Sequence, residues 1–500
     1  MNIKSNIYLL LSCGFLTILL MGCENFLSHQ DPSNLNTDNY FTQPSHAEGI
    51  VNAAYESLYP VQSEASWLMT ELRTGALNST FTPNGGFPDF KIISDLQMSA
   101  DHPAVNNYWV SHYRGIGNAN LAIAEIPNIE MDETTQNRLL GEARFLRAYY
   151  YFNLVRIFGE VPLITESVDL GSPDLEPSRS SVESVYQLIV DDLIAAESSG
   201  LSFNDSSGRV TLGAVKSLLA DVYLTMAGYP LEMGTEYYTL ARDKAKEVID
   251  SQEYSLFDLY LPFRESSNDN TVEHIFSVQY LQGEQNNDVL QIGLPPFKFG
   301  VSAYSSEQGF GFARDEFVAS YEAGDKRAEE KVFFFTNYTS ESDRNETVQF
   351  PNHFIYKFWD EQAHLNTAQS GLNWQVIRYA DVLLDFAEAS NEVSGPTSDA
   401  YEAVNKIRRR AEISDLSGLT KSEFREAIWK ERWHELIYEN EIWFDMVRTR
   451  KAYDIEADTF NDYVGHSFVD GSTLQERDLL FPLPTDELRN NGNLTQNPGY

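Results

Sequence analysis

Cysteine is almost absent from the sequence: Cys13 and Cys23 are the only two in 500 residues. Cys13 lies inside an uncharged apolar run, residues 7–21, that follows Lys4. A short basic start, an apolar stretch and a small residue before the cleavage point are typical of a secretory signal, which is removed from the mature protein. The mature chain then keeps one cysteine, so it forms no internal disulfide and its core alone must hold the fold.

An apolar run long enough to cross a membrane is also missing from the start of the chain. A spanning helix needs about 20 apolar residues, and the run at 7–21 is shorter. It ends in the letters LLMGC at residues 19–23, the lipobox pattern in which the cysteine sulfur takes a diacylglycerol. We therefore predict a signal peptide at 1–22 and a lipidated Cys23, with several acyl chains as the only membrane anchor. The alternative is an ordinary secretory signal that happens to hold a cysteine.

Positive charge is scarce. Lysine and arginine total 36 against 74 aspartates and glutamates, which gives a formal net charge of −38. A field of this sign argues against a nucleic-acid partner and against anionic membrane surfaces. Aromatic residues are plentiful at 13%. This combination favours a neutral ligand, and carbohydrate binding needs aromatic rings and amides more than it needs net charge.

Recognisable catalytic motifs are missing as well. The pair His434-Glu435 begins a zinc-protease pattern, but Tyr438 stands where the second histidine ligand is required. Neighbouring acids such as Asp191-Asp192 are expected in so acidic a chain, and the basic run at 408–410 is best explained by an exposed face or by pairing with acids. The sequence thus predicts no enzyme and no cofactor, although the acidic loops leave a structural Ca²⁺ open despite the lack of EF-hand spacing.

What the sequence does contain is helical periodicity over most of its length. A first helix is predicted at 44–59, with Ser45 as N-cap and Glu48 completing a capping box. Residues 60–102 are predicted to be irregular, and 235–250 to be a lone helix. The remaining helices are predicted at 104–126 and 133–158, 181–198 and 211–227, 376–392 and 398–412, and along one stretch at 420–450.

Two of the helix pairs share a pattern. The spacing of Arg144, Ala148 and Tyr151 recurs in Lys216, Ala220 and Tyr223. A small residue between large ones lets two helices approach closely, as in tetratricopeptide repeats. The pattern predicts a mainly α fold, a tetratricopeptide-like scaffold of helix pairs, and the less specific alternative is any antiparallel helical protein.

Residues 253–373 interrupt the helical pattern. The segments 274–281, 331–338 and 354–359 are rich in β-formers and are separated by Gly, Asn and Pro. We predict an irregular, partly β, ligand-binding insertion here, within a single body at 44–500 whose helical scaffold covers about 44–252 and 374–450. Residues 23–43 are rich in Asn, Asp and Ser and are predicted to form an extended tether from the lipid.

Segments spread along the whole chain resemble the SusD/RagB family of outer-membrane nutrient-binding lipoproteins of Bacteroidetes. In order they are CENFLSHQDPSN (23–34), NYFTQPSHAEGIVNAAYESLY (39–59), YWVSHYRGIGNANLAIAEI (108–126), GEARFLRAYYYFNLVRIFGEVPLI (141–164), VTLGAVKSLLADVYLTMAGYP (210–230), VIRYADVLLDFAEASNEV (376–393), AVNKIRRRA (403–411), FREAIWKERWHELIYENEIWFDMVRT (424–449) and LFPLPTDELRNNGNLTQNPGY (480–500). The resemblance implies an outer-membrane location facing the cell exterior, and a TonB-dependent SusC-like transporter that the lipoprotein covers as a hinged lid.

The resemblance also implies where a ligand binds, in the loops after the first helix and in part of the insertion. The matching stretches are 67–90 and about 280–312. The candidate glycan-binding residues there are Trp67, Arg73, Phe81, Asn84, Phe87, Tyr280, Asn286, Asn287, Phe297, Phe299 and Tyr304. The tryptophans on regular helices are interpreted as packing residues: Trp109, Trp429, Trp433 and Trp443.

Three classes of function remain open at this point. The first is a protein that captures oligosaccharide or polysaccharide for the transporter, with a neutral glucan such as laminarin as the expected ligand. The second is a peptide-binding component of an importer. The third is a lipoprotein glycoside hydrolase, which would need two carboxyl groups about 5–10 Å apart in a cleft.

Overall fold

The computed structural model describes residues 40–79, 88–166, 176–291, 293–301, 309–339, 346–367 and 369–500. The predicted signal peptide, Cys23 and nearly all of the predicted tether lie outside these ranges. Most of the described chain is helical. The main helices are α1 (Pro44–Glu56), α2 (Leu58–Val61), α3 (Glu64–Glu71), α4 (Pro88–Ser94), α5 (Pro103–Glu125), α6 (Glu133–Phe158), α7 (Val182–Glu197), α8 (Leu212–Ala227), α9 (Thr235–Ser251), α10 (Asp315–Ala319), α11 (Tyr379–Ser394), α12 (Ser398–Arg410), α13 (Lys421–Leu436), α14 (Ile442–Thr449) and α15 (Thr485–Asn490).

The long helices pack side by side as a continuous stack, which confirms the mainly α, helix-pair fold class. Helix α1 packs on α5, and α5 through α8 each pack on the next helix in the chain. Helix α9 also packs on α11, which in turn contacts α12 and α13. Predicted as a lone helix, α9 instead joins the two halves of the scaffold across the insertion.

Side-chain caps explain why several helices begin where they do. Asp132 Oδ1 accepts a hydrogen bond from the Thr135 backbone N–H at 2.9 Å at the start of α6, and Thr420 and Glu423 form a capping box on α13. The capping box predicted for α1 is wrong. Its N-cap is Gln43, which makes no side-chain cap hydrogen bond, and Pro44 at the first helical position supplies the preset φ that favours the start.

The repeated cations of the sequence pattern bind acids on neighbouring helices. Arg144 on α6 contacts Asp192 on α7, with 3.3 Å between Nη1 and Oδ1. Lys216 on α8 contacts Glu197 on α7, with 2.5 Å between Nζ and Oε1. Both cations thus tie their helix to α7: Arg144 contacts the helix that follows its own, and Lys216 the helix that precedes its own.

Helices α5 and α6 approach most closely where Gly115 faces the buried Tyr150 ring. A Cβ built on Gly115 would lie 2.4 Å from Cε2 of that ring, and the Tyr150 hydroxyl is held by the Ala54 carbonyl at 2.6 Å. Because the ring cannot turn away without losing this bond, we expect Gly115→Ala to lower the free energy of unfolding by about 1–3 kcal/mol. Denaturant unfolding measures the change.

Gly117 on the same helix is the matched control for Gly115. Nothing lies within 4 Å of a Cβ built on Gly117, so Gly117→Ala is expected to stabilise the protein by up to about 1 kcal/mol through helix propensity. Two alanine variants that change stability in the same direction would contradict the proposed packing of α5 on α6.

The β structure lies mainly in the region between α9 and α11. The strands are β1 (Leu77–Ser79), β2 (His274–Val278), β3 (Gly311–Ala313), β4 (Phe334–Thr339), β5 (Thr347–Ile355), β6 (Trp374–Arg378), β7 (Lys451–Asp454) and β8 (Thr459–Asp462). Strands β1, β3, β5 and β4 form one sheet in that order, and β2 pairs with β6 and β7 with β8, all antiparallel. The predicted strand at 354–359 is displaced, since β5 ends at Ile355.

Two further sequence expectations are wrong. Residues 60–102 are not wholly irregular, because they contain α3 and α4. The stretch 420–450 is not one helix, because the chain leaves α13 at Leu436 and resumes as α14 at Ile442. Tyr438 and Asn440 in this break have positive φ values of 69° and 67°. Buried cations donate hydrogen bonds to the backbone carbonyls that the break leaves without helical partners. Lys357 Nζ donates to Ile437 O at 3.0 Å, and Arg378 Nη2 donates to Glu435 O at 2.8 Å.

A buried network of ion pairs fastens the β region to α13. The carboxylate of Glu435 receives Arg327 at 3.1 Å, Arg378 at 2.9 Å and Arg410 at 2.7 Å, and all four side chains are buried. Arg327 also contacts Glu431 on α13 at 2.6 Å. The pair His434-Glu435 is therefore part of the core. Of the basic run 408–410, the first and third arginines pair with buried acids and the second with exposed ones.

Candidate functional site

A cleft with a volume of about 920 Å³ opens between three segments of the β region. The first segment leads into β2, the second follows β2, and the third precedes β6, so the β2–β6 pairing brings together residues that lie about a hundred positions apart in sequence. The lining residues are Leu261, Arg264, Glu265, Ser266, Ser267, Asp269, Asn270, Gln279, Tyr280, Leu281, Gln282, Tyr356, Trp359, Asp360, Glu361, Gln362, Ala363, Gly371 and Asn373.

Carboxamides form a linked network along the cleft. Gln279 Oε1 accepts hydrogen bonds from Asn270 Nδ2 at 2.7 Å and from Asn373 Nδ2 at 2.8 Å. Asn373 Oδ1 in turn accepts from the backbone N–H of Tyr280 at 2.7 Å. Gln282 Nε2 donates to Thr367 Oγ1 at 2.9 Å. Because Asn270 and Asn373 are both held by Gln279, and Gln282 by a threonine hydroxyl, their remaining polar groups point in fixed directions.

Negative charge dominates the lining. Four carboxylates face one cation, Arg264, among the lining residues of the described chain. Burial raises the pKa of Asp269 to about 7, and the nearby charge of Asp360 adds to this effect, while a hydrogen bond from the Asn373 backbone opposes it. Asp360 is held by Ser370 Oγ at 2.7 Å and by the Ala363 N–H at 3.1 Å. Oδ1 of Asp269 is buried and lacks a hydrogen-bond partner.

Apolar surface is also present in the cleft. Tyr280 is half-buried, with its ring centroid 5.4 Å from that of Tyr59 and its hydroxyl 3.4 Å from the Gln62 carbonyl. Leu261 and Leu281 are 51% and 56% exposed, although leucine is usually buried in this protein. The site therefore combines amides, carboxylates, a tyrosine and two exposed leucines in one concave surface.

Of the sequence-predicted site residues, the structure places Tyr280 in the cleft lining and leaves three others at least partly exposed outside that lining. Tyr280 lines the cleft directly. Asn286 closes the adjoining turn, with its Oδ1 accepting from the Gly283 N–H at 2.9 Å. Phe297 is 44% exposed, and Phe299 is partly buried against Phe350 at a centroid distance of 5.4 Å.

Three other candidates are placed in the interior, which corrects the expectation that they face a ligand. Trp67 is 2% exposed, and its indole Nε1–H donates to the Tyr438 carbonyl at 2.9 Å. Arg73 is fully buried, with its guanidinium 4.1 Å from the centre of the Phe481 ring. Asn287 is fully buried and donates to the Leu372 carbonyl at 2.9 Å. All three hold the protein's own backbone or rings.

The remaining candidates, Phe81, Asn84, Phe87 and Tyr304, lie outside the described residues. The strands beside them are described, and they pair: Leu77 is opposite Ala313 and Ser79 is opposite Gly311. The two stretches that the family resemblance singled out are thus joined through neighbouring strands of one sheet.

Sequence reasoning missed the carboxamides Asn270, Gln279, Gln282 and Asn373. A signal for the last of them was available, since residues 360–373 are dense in Asp, Gln and Asn between two tryptophans.

The four helix tryptophans do pack: Trp109, Trp433 and Trp443 are buried, and the ring centroid of the partly exposed Trp429 lies 5.4 Å from that of Phe460.

The described residues contain neither a cluster of metal ligands nor a membrane-spanning helix. Within the part of the chain that the structure describes, no cluster of three His, Cys, Asp or Glu side chains is positioned to hold a metal ion. Across the same residues, every helix is too short or too polar to cross a bilayer.

Comparison with known proteins places these features in a family. Residues 313–500 match the model of the SusD family, and residues 25–224 match a model described as starch-binding associating with outer membrane. The SusD-like protein P2 of Formosa agariphila is 28% identical, over 97% of this chain and 98% of the relative.

Solved structures agree. A laminarin-binding SusD-like protein shares the fold, with 24% identity, a TM-score of 0.75, and coverage of 92% of this chain and 100% of the other. A SusD superfamily protein from Parabacteroides distasonis is 39% identical, with a TM-score of 0.86 over 93% of this chain and all of that one. Identity at this level over nearly the whole length shows that the chain belongs to the SusD family.

Proposed function

We propose that this protein captures neutral glycan chains at the bacterial surface, binds them in the cleft around Tyr280, and releases them intact. The observation that carries the proposal is the cleft lining itself. Sugar hydroxyls need planar hydrogen-bonding groups, which the linked carboxamides supply, and the apolar face of a pyranose ring needs an aromatic ring, which Tyr280 supplies. A concave site with a few fixed polar groups is the usual form of a small-molecule site.

The charge of the cleft supports a neutral ligand. Four carboxylates against Arg264 create a negative local field, which disfavours uronate or sulfate groups. A neutral glucan such as laminarin is the proposed ligand, and one of the structural neighbours, a laminarin-binding SusD-like protein, is consistent with it. The exposed Phe297 and the half-buried Phe299 are proposed as an outer platform for longer chains, and Asn286 as a further polar contact.

Cleavage of the glycan is not part of the proposal. A glycoside hydrolase needs a general acid and a second carboxyl group on either side of the scissile bond. Asp269 and Asp360 are two cleft carboxyl groups close enough for the charge of Asp360 to raise the pKa of Asp269, but Asp360 is held by two hydrogen bonds within the protein. Shortening of laminarin by the wild type that disappears in Asp269→Asn would refute the binding-only proposal.

Tyr280→Ala is expected to weaken binding of laminarin oligosaccharides by about tenfold, because loss of a stacking ring costs on the order of 1 kcal/mol. Tyr280→Phe keeps the ring and should bind within about threefold of the wild type, which separates stacking from the hydroxyl's contact with Gln62. Isothermal titration calorimetry gives the dissociation constants. Tyr40→Ala removes a tyrosine that is 39% exposed at the start of α1 and is the matched control. Equal binding by Tyr280→Ala and the control would exclude the cleft.

We further propose that Cys23 carries the lipid anchor and that the partner is a TonB-dependent SusC-like transporter, to which the protein delivers glycan as a lid. The matched model described as associating with the outer membrane supports the location, and the resemblance supports the partner. Affinity purification from detergent-solubilised outer membranes should recover the barrel with the full chain. Recovery of the protein without any TonB-dependent transporter would count against the partner, and release of Cys23→Ser into the medium is the test of the anchor.

A further inference from the structure

Hydrogen bonding to sugar hydroxyls does not explain why two exposed leucines line the cleft. Leu261 comes from the turn before β2 and Leu281 from the segment after it, and both line the cleft. Each follows a tyrosine in the sequence: Tyr260 is buried, whereas Tyr280 is half-buried and lines the cleft. Both leucine side chains are more than half exposed, in a lining that is rich in amides and acids. Exposed apolar surface inside a polar site indicates contact with an apolar group of the ligand.

The polar part of the cleft presents mainly hydrogen-bond acceptors, so a matching ligand must supply hydrogen-bond donors. Ionised carboxylates accept hydrogen bonds and cannot donate them. Four carboxyl groups line the cleft, and Asp269, with its pKa raised to about 7, is only partly ionised at neutral pH. Two lie on the segment before β2, at Glu265 and Asp269, and two on the segment before β6, at Asp360 and Glu361. Donors on the same surface include the remaining N–H groups of Asn270 and Asn373, whose other N–H groups are bonded to Gln279.

We infer that the cleft is built for a glycan unit that bears an acylamino group, such as a 2-acetamido sugar. The N–H of this group donates to a cleft carboxylate, its carbonyl accepts from a cleft carboxamide, and its methyl group lies against Leu261 and Leu281. This inference rests on the proposed function and refines its ligand: a plain glucan such as laminarin still binds through the amides and Tyr280, but more weakly than a chain that contains acylamino sugars.

Competing substituents match the surface less well. A hydroxyl satisfies the carboxylates but leaves both leucines in contact with water. A carboxylate or sulfate on the sugar is repelled by the acidic lining. A free ammonium group suits the carboxylates, yet it carries its hydration shell to the leucines and contributes no apolar contact.

Three methyl β-glycosides test the inference without any dependence on linkage: those of glucose, of N-acetylglucosamine and of glucosamine. Nuclear magnetic resonance titration gives their affinities, and saturation transfer from the protein shows which ligand protons touch it. We expect the N-acetylglucosamine glycoside to bind at least about fivefold more tightly than the other two, with the strongest transfer to its acetyl methyl group.

Leu261→Ser and Leu281→Ser, alone and combined, should reduce this preference to below about twofold. Leu240→Ser is the matched control, because Leu240 is 38% exposed on α9, outside the cleft lining, and it should keep the full preference. Circular dichroism and thermal unfolding confirm that each variant is folded.

The possible results separate the inference from the proposed function. Equal affinity for the three glycosides, alongside binding of laminarin, overturns the acylamino inference and leaves the glycan-binding function in place. Tighter binding of the glucosamine glycoside also overturns it, in favour of a cation at the carboxylates. Absence of binding to all three glycosides and to laminarin refutes both. A preference that survives in the double leucine variant overturns the assignment of the methyl contact.

Discussion

Glu435→Gln is expected to lower the free energy of unfolding by about 3–5 kcal/mol, the usual consequence of removing one partner from a buried ion-pair network. Among the residues that the structure describes, Glu435 is the only carboxylate that forms ion pairs with Arg327, Arg378 and Arg410 together. All four side chains are at most 3% exposed. The glutamine keeps the shape of the side chain but leaves three buried guanidinium groups short of a counter-charge. Urea denaturation monitored by tryptophan fluorescence measures the loss.

The pH dependence of stability gives a second readout of Glu435. Burial opposes its ionisation, but Arg410, Arg378 and Arg327 outweigh burial and lower the pKa of Glu435 to about 2. A carboxyl with a folded pKa below its unfolded value stabilises the protein above the unfolded pKa, near 4.5. That contribution, about 3 kcal/mol, is lost as the pH falls from about 5 to 2. The Glu435→Gln variant should lack this component of the acid-induced decline.

Glu412→Gln is the control for Glu435→Gln. Glu412 is exposed and lies 3.6 Å from Lys326, and exposed pairs contribute about 0–1 kcal/mol. If both glutamine variants are equally stable, the network does not hold the β region on α13 as the structure indicates.

Trp67→Ala is expected to destabilise the protein by about 3–5 kcal/mol, as large-to-small changes of buried aromatics do. The indole is 2% exposed and packs near Tyr438, at a centroid distance of 6.3 Å. The family resemblance predicts a ligand-stacking tryptophan at this position, so the variant distinguishes two roles. Thermal and chemical unfolding measure stability, and calorimetry with laminarin oligosaccharides measures binding by the folded protein.

Trp67→Phe refines the comparison. Phenylalanine retains most of the apolar contacts but leaves the Tyr438 carbonyl without its indole N–H, which costs about 1–3 kcal/mol. A Trp67→Ala protein that keeps wild-type stability and loses glycan binding would show that the side chain faces a ligand after all.

The helices could be predicted from sequence because local signals define them. Helix α6 was placed at its observed bounds, where Asp132 caps the start and Gly159, with φ of 71°, follows the end. The break between α13 and α14 could not be predicted. The residues at 437–441 carry no Gly or Pro, and the positive φ values there are stabilised by tertiary partners: Lys357, Arg378 and Trp67 bind the freed carbonyls.

The candidate site was less accessible to sequence reasoning. Tyr280 was among the predicted residues and lines the cleft, whereas Trp67 lies in the core. The local sequence does not distinguish an aromatic residue that contacts a ligand from one that packs in the core. The amides were missed because the cleft is assembled by tertiary pairing. Asn270 and Asn373 meet at Gln279 only because β2 pairs with β6. Local charge was equally out of reach, since a net charge of −38 does not say where the acids lie.

Affinity electrophoresis through gels that contain laminarin, or an anionic polysaccharide such as alginate, tests the central claim most directly. The signal-free protein should be retarded by laminarin, migrate freely in alginate, and leave the chain length of the laminarin unchanged, while Tyr280→Ala should regain most of its mobility. Free migration of the wild type in every gel would contradict glycan capture by the cleft and would favour a peptide ligand. Shortened laminarin would contradict it in favour of hydrolysis.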